Sequence, residues 1–214
     1  MSTLIISATA TEVEPLLRYY RSHGDSLDID VLVTGVGLMS TTYQLTRQLQ
    51  LKPPRLVIQA GVAGSFTKKF ALGAVVSVKQ DRVADLGVVE QQTLKSIYDL
   101  KLEEPNHPPY KNGWLVNPNK SLLTVHGLRP VNAISVNQIT TSRAMIDQYK
   151  AHYNPTIESM EGAALHHVCM SEKVPFLQLR AVSNYVRERN KANWKMSEAI
   201  NNLNQELIRL LKSL

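Results

Sequence analysis

A three-layer α/β domain, with a central mixed, twisted sheet flanked by helices, is the fold class this sequence predicts. Three observations carry that reading. Apolar strand-like runs alternate with segments whose apolar residues recur at helical spacing. A chain of 214 residues with 43% hydrophobic and 20% charged residues is long and apolar enough to bury one sizeable core. No internal repeat or linker divides it, so one domain over residues 1–214 is expected.

The elements follow in order. Residues 4–8 read as a first strand, and 11–22 as a helix with Val13, Leu16, Leu17 and Tyr20 on one face. Residues 29–34 form the next strand. A helix from 38 to about 51 is stopped by Pro53-Pro54, and 56–60 resume the sheet. Residues 74–78 and 131–136 are further strands. The last third reads as helix 161–171, strand 176–182 and helix 192–214. Residues 99–119 break the pattern, because Pro105, Pro108, Pro109 and Pro118 exclude a regular helix. A long loop or lid is expected there.

Composition narrows the function classes. The net charge of +6 raises the possibility of a nucleic-acid partner. The basic residues, however, fall singly or in pairs such as Lys68-Lys69, with no stripe interleaved with aromatics. No nucleic-acid partner is expected; the charge reads mainly as solvated surface, with a bias toward an anionic small molecule. Cys169 is the only cysteine, so no intrachain disulfide forms, which suits a reducing cytosol. Its apolar, helical surroundings predict a buried structural thiol. The first eight residues lack the positive region of a signal peptide, and no apolar run reaches the ~18 residues of a membrane helix. A cytoplasmic protein with no membrane partner is the expectation.

Several motifs carry little chemistry alone. Thr34-Gly35-Val36-Gly37 and Gly61-Val62-Ala63-Gly64 each follow a strand. The first is a near miss to the dinucleotide fingerprint, without the acidic residue about twenty positions on. These glycines suit tight turns; in the sharper reading, the 60–64 backbone passes close under a flat ligand. The six histidines show no paired-ligand spacing with a carboxylate, so neither metal nor cofactor is expected. His166 and His167 are adjacent and face different sides of a helix, one packed and one exposed. No G-x-S-x-G elbow supports a serine triad.

Two segments carry more. Glu158-Ser159-Met160-Glu161-Gly162 places a carboxylate where a loop or strand end becomes a helix, and the run from Val174 to Val182 passes straight into Ser183 and Asn184. In an open α/β sheet, ligands bind in the crevice beyond such strand ends. A carboxylate able to grip a sugar diol and an amide able to read a purine edge would then face one pocket. Glu12 follows the first strand; alone it reads as favourable charge in a first helical turn, capped by Thr9 or Thr11. Beside Glu161 and Asn184 it becomes a second acid at the same edge.

With these residues assembled, the chain resembles the purine nucleoside phosphorylase and nucleosidase superfamily over nearly its full length. The carriers are Ile6-Ser7-Ala8 through Glu12-Val13, the two glycine segments, Ser159-Met160-Glu161-Gly162-Ala163-Ala164 and Arg180-Ala181-Val182-Ser183-Asn184. The resemblance is to the branch containing methylthioadenosine/S-adenosylhomocysteine nucleosidase and futalosine hydrolase. Ala84-Asp85-Leu86-Gly87, Gly113-Trp114-Leu115-Val116-Asn117, Val136-Asn137-Gln138-Ile139-Thr140 and the run from Ser183 to Asn190 with Trp194 look like the latter. The resemblance implies that Glu12 activates water at the anomeric carbon and that Glu161 and the Met160 backbone hold the ribose hydroxyls. It implies base contacts at Ala63, Gly64 and Ile139, and a homo-oligomer. Where adenine-releasing relatives carry Asp, this chain has Asn184.

These residue types suit glycosidic cleavage. The reaction passes through a cation-like sugar with electron density building on the departing base. Glu12 can deliver water as a carboxylate base, and Glu161 orients the sugar and places negative charge near the cation. An amide at 184 donates its NH₂ to O6 of a 6-oxopurine and accepts from N7–H, which favours hypoxanthine or guanine over adenine. Hydrolysis is preferred to phosphorolysis: no Arg or Lys lies in 60–64, and like charges ~4 Å apart cost roughly 1 kcal/mol in water and about 4 at a protein surface. Futalosine, as the resemblance implies, has a carboxylate on its 5′ arm, which Arg187, Arg189 or Lys191 could meet; a solvated turn is the plainer reading of these three. The expectation is therefore a futalosine hydrolase releasing hypoxanthine. The alternatives are a nucleosidase or phosphorylase acting on inosine or methylthioadenosine, and a non-catalytic purine-binding module.

Overall fold

The computed structural model describes residues 2–23, 28–188 and 190–214, so Arg189 lies outside the described residues. The first half runs β1 (Thr3–Ser7), α1 (Ala10–His23), β2 (Ile29–Val33), α2 (Leu38–Leu51), β3 (Leu56–Ser65) and β4 (Val75–Asp81). An exposed hairpin, β5 (Gly87–Glu90) and β6 (Thr93–Ser96), is followed by β7 (Leu115–Val116), α3 (Lys120–Leu123) and β8 (Pro130–Ser135). The remainder is α4 (Arg143–Tyr153), β9 (Ile157–Ser159), α5 (Gly162–Ser171), β10 (Phe176–Tyr185) and α6 (Met196–Leu211).

The expected alternation holds, with four corrections. Strand β3 runs past residue 60 to Ser65, so Gly61 to Gly64 lie inside a strand rather than in a turn. Strand β10 likewise continues past residue 182 through Ser183 and Asn184. The last helix starts at Met196, after a single 3-10 turn at Lys191–Asn193. Strand β7 (inside the expected 99–119 loop), helices α3 and α4, strand β9 and the hairpin are additions.

The sheet also departs from an open one. Strands β1 and β2 run parallel to the first half of β3. Further along, the same edge of β3 pairs antiparallel with β9 through Gly64 and Ser65, while its other edge pairs with β10 throughout. Because β10 pairs β4, β4 pairs β8 and β8 pairs β9, five strands close into a ring. Ala63, Val76, Val78, Val131, Ala133, Ile157 and Val182, drawn from all five, fill its interior. Alternation along each strand turns their neighbours outward.

Helices cover both faces. Val13 and Leu16 of α1 and Leu203, Leu207 and Leu210 of α6 pack on Ile5, Ile58 and Leu179. Leu45 and Leu49 of α2 and Leu165 and Val168 of α5 pack on Leu4, Ile6, Val57 and Phe176. Ile146, Tyr149 and Tyr153 of α4 shield Ile134 and Val136 on the outer wall of the ring. Cys169 is buried among the second group, and burial pushes its thiol upward. His166 is buried, donates Nδ1–H to the Leu115 carbonyl at 2.9 Å and is driven down to about 4 by burial. His167 is half-buried, its ring 5.8 Å from that of Tyr110, rather than fully exposed.

Residues 99–119 contain no helix, as the prolines require. Their C-terminal end is strapped to the start of β10: Asn117 Nδ2 donates to the Phe176 carbonyl, and the Phe176 N–H donates to Asn119 Oδ1, each at 3.1 Å. Trp114 stands 5.2 Å from the buried Arg82 guanidinium, which also lies 4.0 Å over the Tyr153 ring. The start of β10 is the sheet edge opposite the strand ends described below.

Helix α1 contains Pro15, which supplies no N–H and crowds the preceding turn. Asn204 of α6 enters at this point. Its Oδ1 accepts from Leu16 N–H at 3.1 Å and its Nδ2 donates to the Glu12 carbonyl at 2.8 Å, two groups that a regular helix pairs with each other. Asn204 is buried, so removing its amide strands both. Asn204→Ala is expected to lower the unfolding free energy by about 2–3 kcal/mol. Thermal denaturation should show this as a fall of roughly 5–10 °C in Tm.

Candidate active site

A cavity of about 390 Å³ opens where β1, β3, β9 and β10 end. Glu12, Ala63, Gly64, Ile139, Met160, Glu161, Asn184 and Arg187 all line it. Residues separated by up to 175 positions in the chain thus share one space. No residue of 99–119 is among the lining residues, so that loop does not lid the cavity of its own chain. Ile139 stands at the rim, 44% exposed. Arg187 is exposed at the mouth and holds a left-handed backbone (φ 84°).

Glu12 occupies the third position of α1 behind a Thr9 N-cap, and its side chain reaches back in a capping-box arrangement. Oε2 accepts from the Thr9 N–H at 3.0 Å and from Thr9 Oγ1 at 3.1 Å. Oε1 accepts from the Val62 N–H at 3.0 Å. Capping and pocket lining are therefore the same contact set, not rival roles.

Glu161 is the residue that α5 starts from. Its Oε1 accepts from the Gly37 N–H at 3.1 Å, and Gly37 holds φ at 95°, which its missing side chain permits. Oε2 lies 3.5 Å from Arg180 Nη2. Arg180 is almost wholly buried; Nη2 donates to Gln59 Oε1 at 2.9 Å and Nη1 to the Val62 carbonyl at 3.4 Å. One residue, Val62, so connects to Glu12 through its N–H and to Arg180 through its C=O. Gly61 makes the approach possible, since a Cβ there would sit 2.3 Å from Arg180 Nη1.

Below Glu161 the start of α5 is fixed to the sheet. The Ala163 N–H donates to Ser135 Oγ at 2.8 Å, and Ser135 Oγ donates to Asp81 Oδ1 at 3.0 Å. Asp81 is fully buried and its carboxyl is pushed up to about 6 by desolvation, against the hydrogen bonds from Ser135, Gln178 and the Arg82 N–H.

Asn184 sits beside a β-bulge between Val182 and Asn184. Its Oδ1 accepts from Ser183 Oγ at 2.9 Å and its Nδ2 donates to the Tyr185 carbonyl at 3.1 Å. One amide hydrogen and one acceptor lone pair remain for a ligand.

Sequence reasoning passed over several participants. Arg180 had a signal, a charge inside an apolar strand run, which burial obliges to find partners. Glu158 and Thr140 had none locally; they meet because the Thr140 N–H donates to Glu158 Oε1 at 3.0 Å and the Thr140 hydroxyl to Oε2. Val36, Trp194, Met196 and Ile200 add apolar walls. Among the described residues no cluster of three or more His, Cys, Asp or Glu is arranged to hold a metal ion, and no helix is long and apolar enough to cross a membrane.

Comparison with known proteins agrees with this architecture. The chain is similar to futalosine hydrolase of Thermus thermophilus (28% identical over 84% of this chain and 80% of the relative) and of Streptomyces coelicolor (27%, over 94% and 91%). It is also similar to 5′-methylthioadenosine/S-adenosylhomocysteine nucleosidase of Haemophilus ducreyi (26%, over 84% and 83%). Among solved structures, a Helicobacter pylori methylthioadenosine nucleosidase mutant with 5′-methylthioadenosine in its active site superimposes with a TM-score of 0.81 at 17% identity, covering 100% of this chain and 99% of that one. Futalosine hydrolase of the same organism gives 0.79 at 16%, covering 100% and 98%. At such identities these two likenesses bear on the fold. The family signature matches residues 4–214, and the chain belongs to the phosphorylase superfamily.

Proposed function

We propose that the protein is an N-glycosyl hydrolase whose substrate is futalosine, cleaved to hypoxanthine and dehypoxanthine futalosine. The observation that carries the reading is the meeting of Glu12, Glu161 and Asn184 on one cavity at the strand ends. Curated relatives named futalosine hydrolase support the substrate class.

In this reading the ribose lies between Met160 and Glu12, with its hydroxyls on Glu161. Glu12 takes a proton from water as the water oxygen attacks the anomeric carbon. The bond from that carbon to N9 breaks and its electron pair passes to the base, which takes a proton at N7 from solvent. The proton taken by Glu12 returns to solvent, so water is added across the bond. Asn184 accepts from the new N7–H and donates to O6. Glu161 is suited to a neutral diol because one of its oxygens is already held by a backbone N–H and the other faces Arg180.

The lining charges support water over phosphate. Of the described residues around the cavity, Arg187 is the one Arg or Lys, against Glu12, Glu158, Glu161 and Glu188. A phosphate dianion would meet that acidic wall at a cost of about 4 kcal/mol per close pair at a protein surface. Arg187 lies at the mouth, where a 5′ carboxylate would emerge, and Trp194 offers an aromatic wall for the arm that carries it. Val36 (57% exposed), Met39 (85%) and Tyr43 (62%) form an apolar strip beside the mouth, which supports a homo-oligomer.

A second reading, adenine release from methylthioadenosine or S-adenosylhomocysteine, has support from relatives so named. Asn184 favours the first. Incubation with futalosine, methylthioadenosine and inosine, with and without phosphate, separates them: hypoxanthine from futalosine at a phosphate-independent rate is the expected result. Adenine as the dominant product would sink the proposal, and no turnover of any nucleoside would favour a binding module. Glu12→Gln should lower kcat at least ~100-fold while futalosine still binds, checked by single-turnover kinetics and calorimetry. Asn184→Asp should move the ratio of hypoxanthine to adenine release toward adenine by about 10-fold or more.

A further inference from the structure

Gly64 is flanked on both edges by residues that line the cavity. Strand β3 pairs Gly64 with Asn184 of β10 on one side and with Glu158 of β9 on the other. Paired strands stand about 4.8 Å apart, so Asn184 and Glu158 are separated by roughly 10 Å across a residue with no side chain. A Cβ at Gly64 would lie 3.2 Å from Val186 Cγ2 and 3.5 Å from Asn184 Nδ2, which puts the amide, beside Val186, on that face of Gly64. Glu158 follows Ile157, which packs inside the ring, so its side chain turns to that same outer face.

The state of Glu158 leaves room for a further donor. It is buried, and among the described residues it makes no ion pair. Both its oxygens are held by Thr140, one by the N–H and one by the hydroxyl, which leaves each with acceptor capacity. Burial and the nearby Asp85 push its carboxyl above the ordinary range. The two Thr140 hydrogen bonds offset this only in part, so a further donor to the carboxylate would be favourable there.

We propose that Glu158 is a specificity-determining residue of the base site, its carboxylate accepting the N1–H of a 6-oxopurine across Gly64 from Asn184. The inference rests on the reading of the cavity as a nucleoside site. A 6-oxopurine carries a hydrogen on N1, whereas adenine presents a lone pair there and meets the carboxylate repulsively. Asn184 and Glu158 thereby test different positions of one base, N7 and O6 by the amide and N1 by the acid.

The experiment compares wild type with Glu158→Gln, using competitive inhibition of futalosine hydrolysis by hypoxanthine, by 1-deazahypoxanthine (C–H in place of N1–H) and by adenine. Wild type should bind hypoxanthine at least 10-fold more tightly than the other two. In Glu158→Gln the hypoxanthine advantage should shrink by about 10- to 100-fold, while binding of the 1-deaza analogue stays within about 2-fold. These ratios do not depend on the fraction of variant that folds. Equal weakening of all three inhibitors would show that Glu158 only braces the Thr140 segment, and would overturn the proposal. Wild type releasing adenine but no hypoxanthine would instead overturn the substrate reading and this inference with it.

Discussion

A strand has two edges, and β3 uses one of them twice. Its first half borrows β1 as a neighbour, and its last residues exchange that neighbour for β9. The ten residues of β3 give it the length for both. Because β10 occupies the other edge throughout, the switch closes the ring of five strands and brings the segment after β9 beside the end of β10. The two segments that dominate the sequence reading, around Glu161 and Asn184, are neighbours for this reason. Without the fork, β9 would end one edge of an open sheet, with β8 and β4 between it and β10.

Charge is then distributed around a single backbone residue. Val62 presents its N–H to one carboxylate and its C=O to a buried guanidinium that faces a second. Glu12 is thus tied to this stretch of backbone directly and Glu161 through Arg180, so hydrogen bonds and an ion contact restrain both carboxylates. Buried charges are tolerable in proteins when each has polar partners, and here each has two or more. Preorganisation of this kind is what an oxocarbenium-like transition state requires, because the protein need not reorganise as charge develops.

Much of this was legible in the chain. Regular strands such as β1 and β2, and helices α1 and α2, announce themselves by apolar spacing and by the stop at Pro53-Pro54. Strand β9, three residues long, is too short for any period to register. Helix α4 does carry a pattern, with Ser142 as its N-cap and Ile146, Tyr149 and Tyr153 on its buried face. Gly61 and Gly64 were harder: glycine in sequence signals a turn, whereas here it clears space for a guanidinium and a cavity floor. The residues Glu12, Glu161 and Asn184 were readable as types at strand ends, and a family resemblance supplied their roles. Arg180, Glu158 and Thr140 depend on register between strands, which no local pattern encodes.

Helix α6 touches the site in two ways. Ile200 lines the cavity, and one turn later Asn204 mends the break in α1 at the backbone of Glu12. The same Asn204 amide also donates to the Ile200 carbonyl at 2.7 Å. A group that fills the cavity therefore meets the same helix that holds the Glu12 backbone. One helix thus supplies both a wall of the cavity and the brace for the Glu12 backbone, so the shape of the pocket and the placement of its acid share a single support.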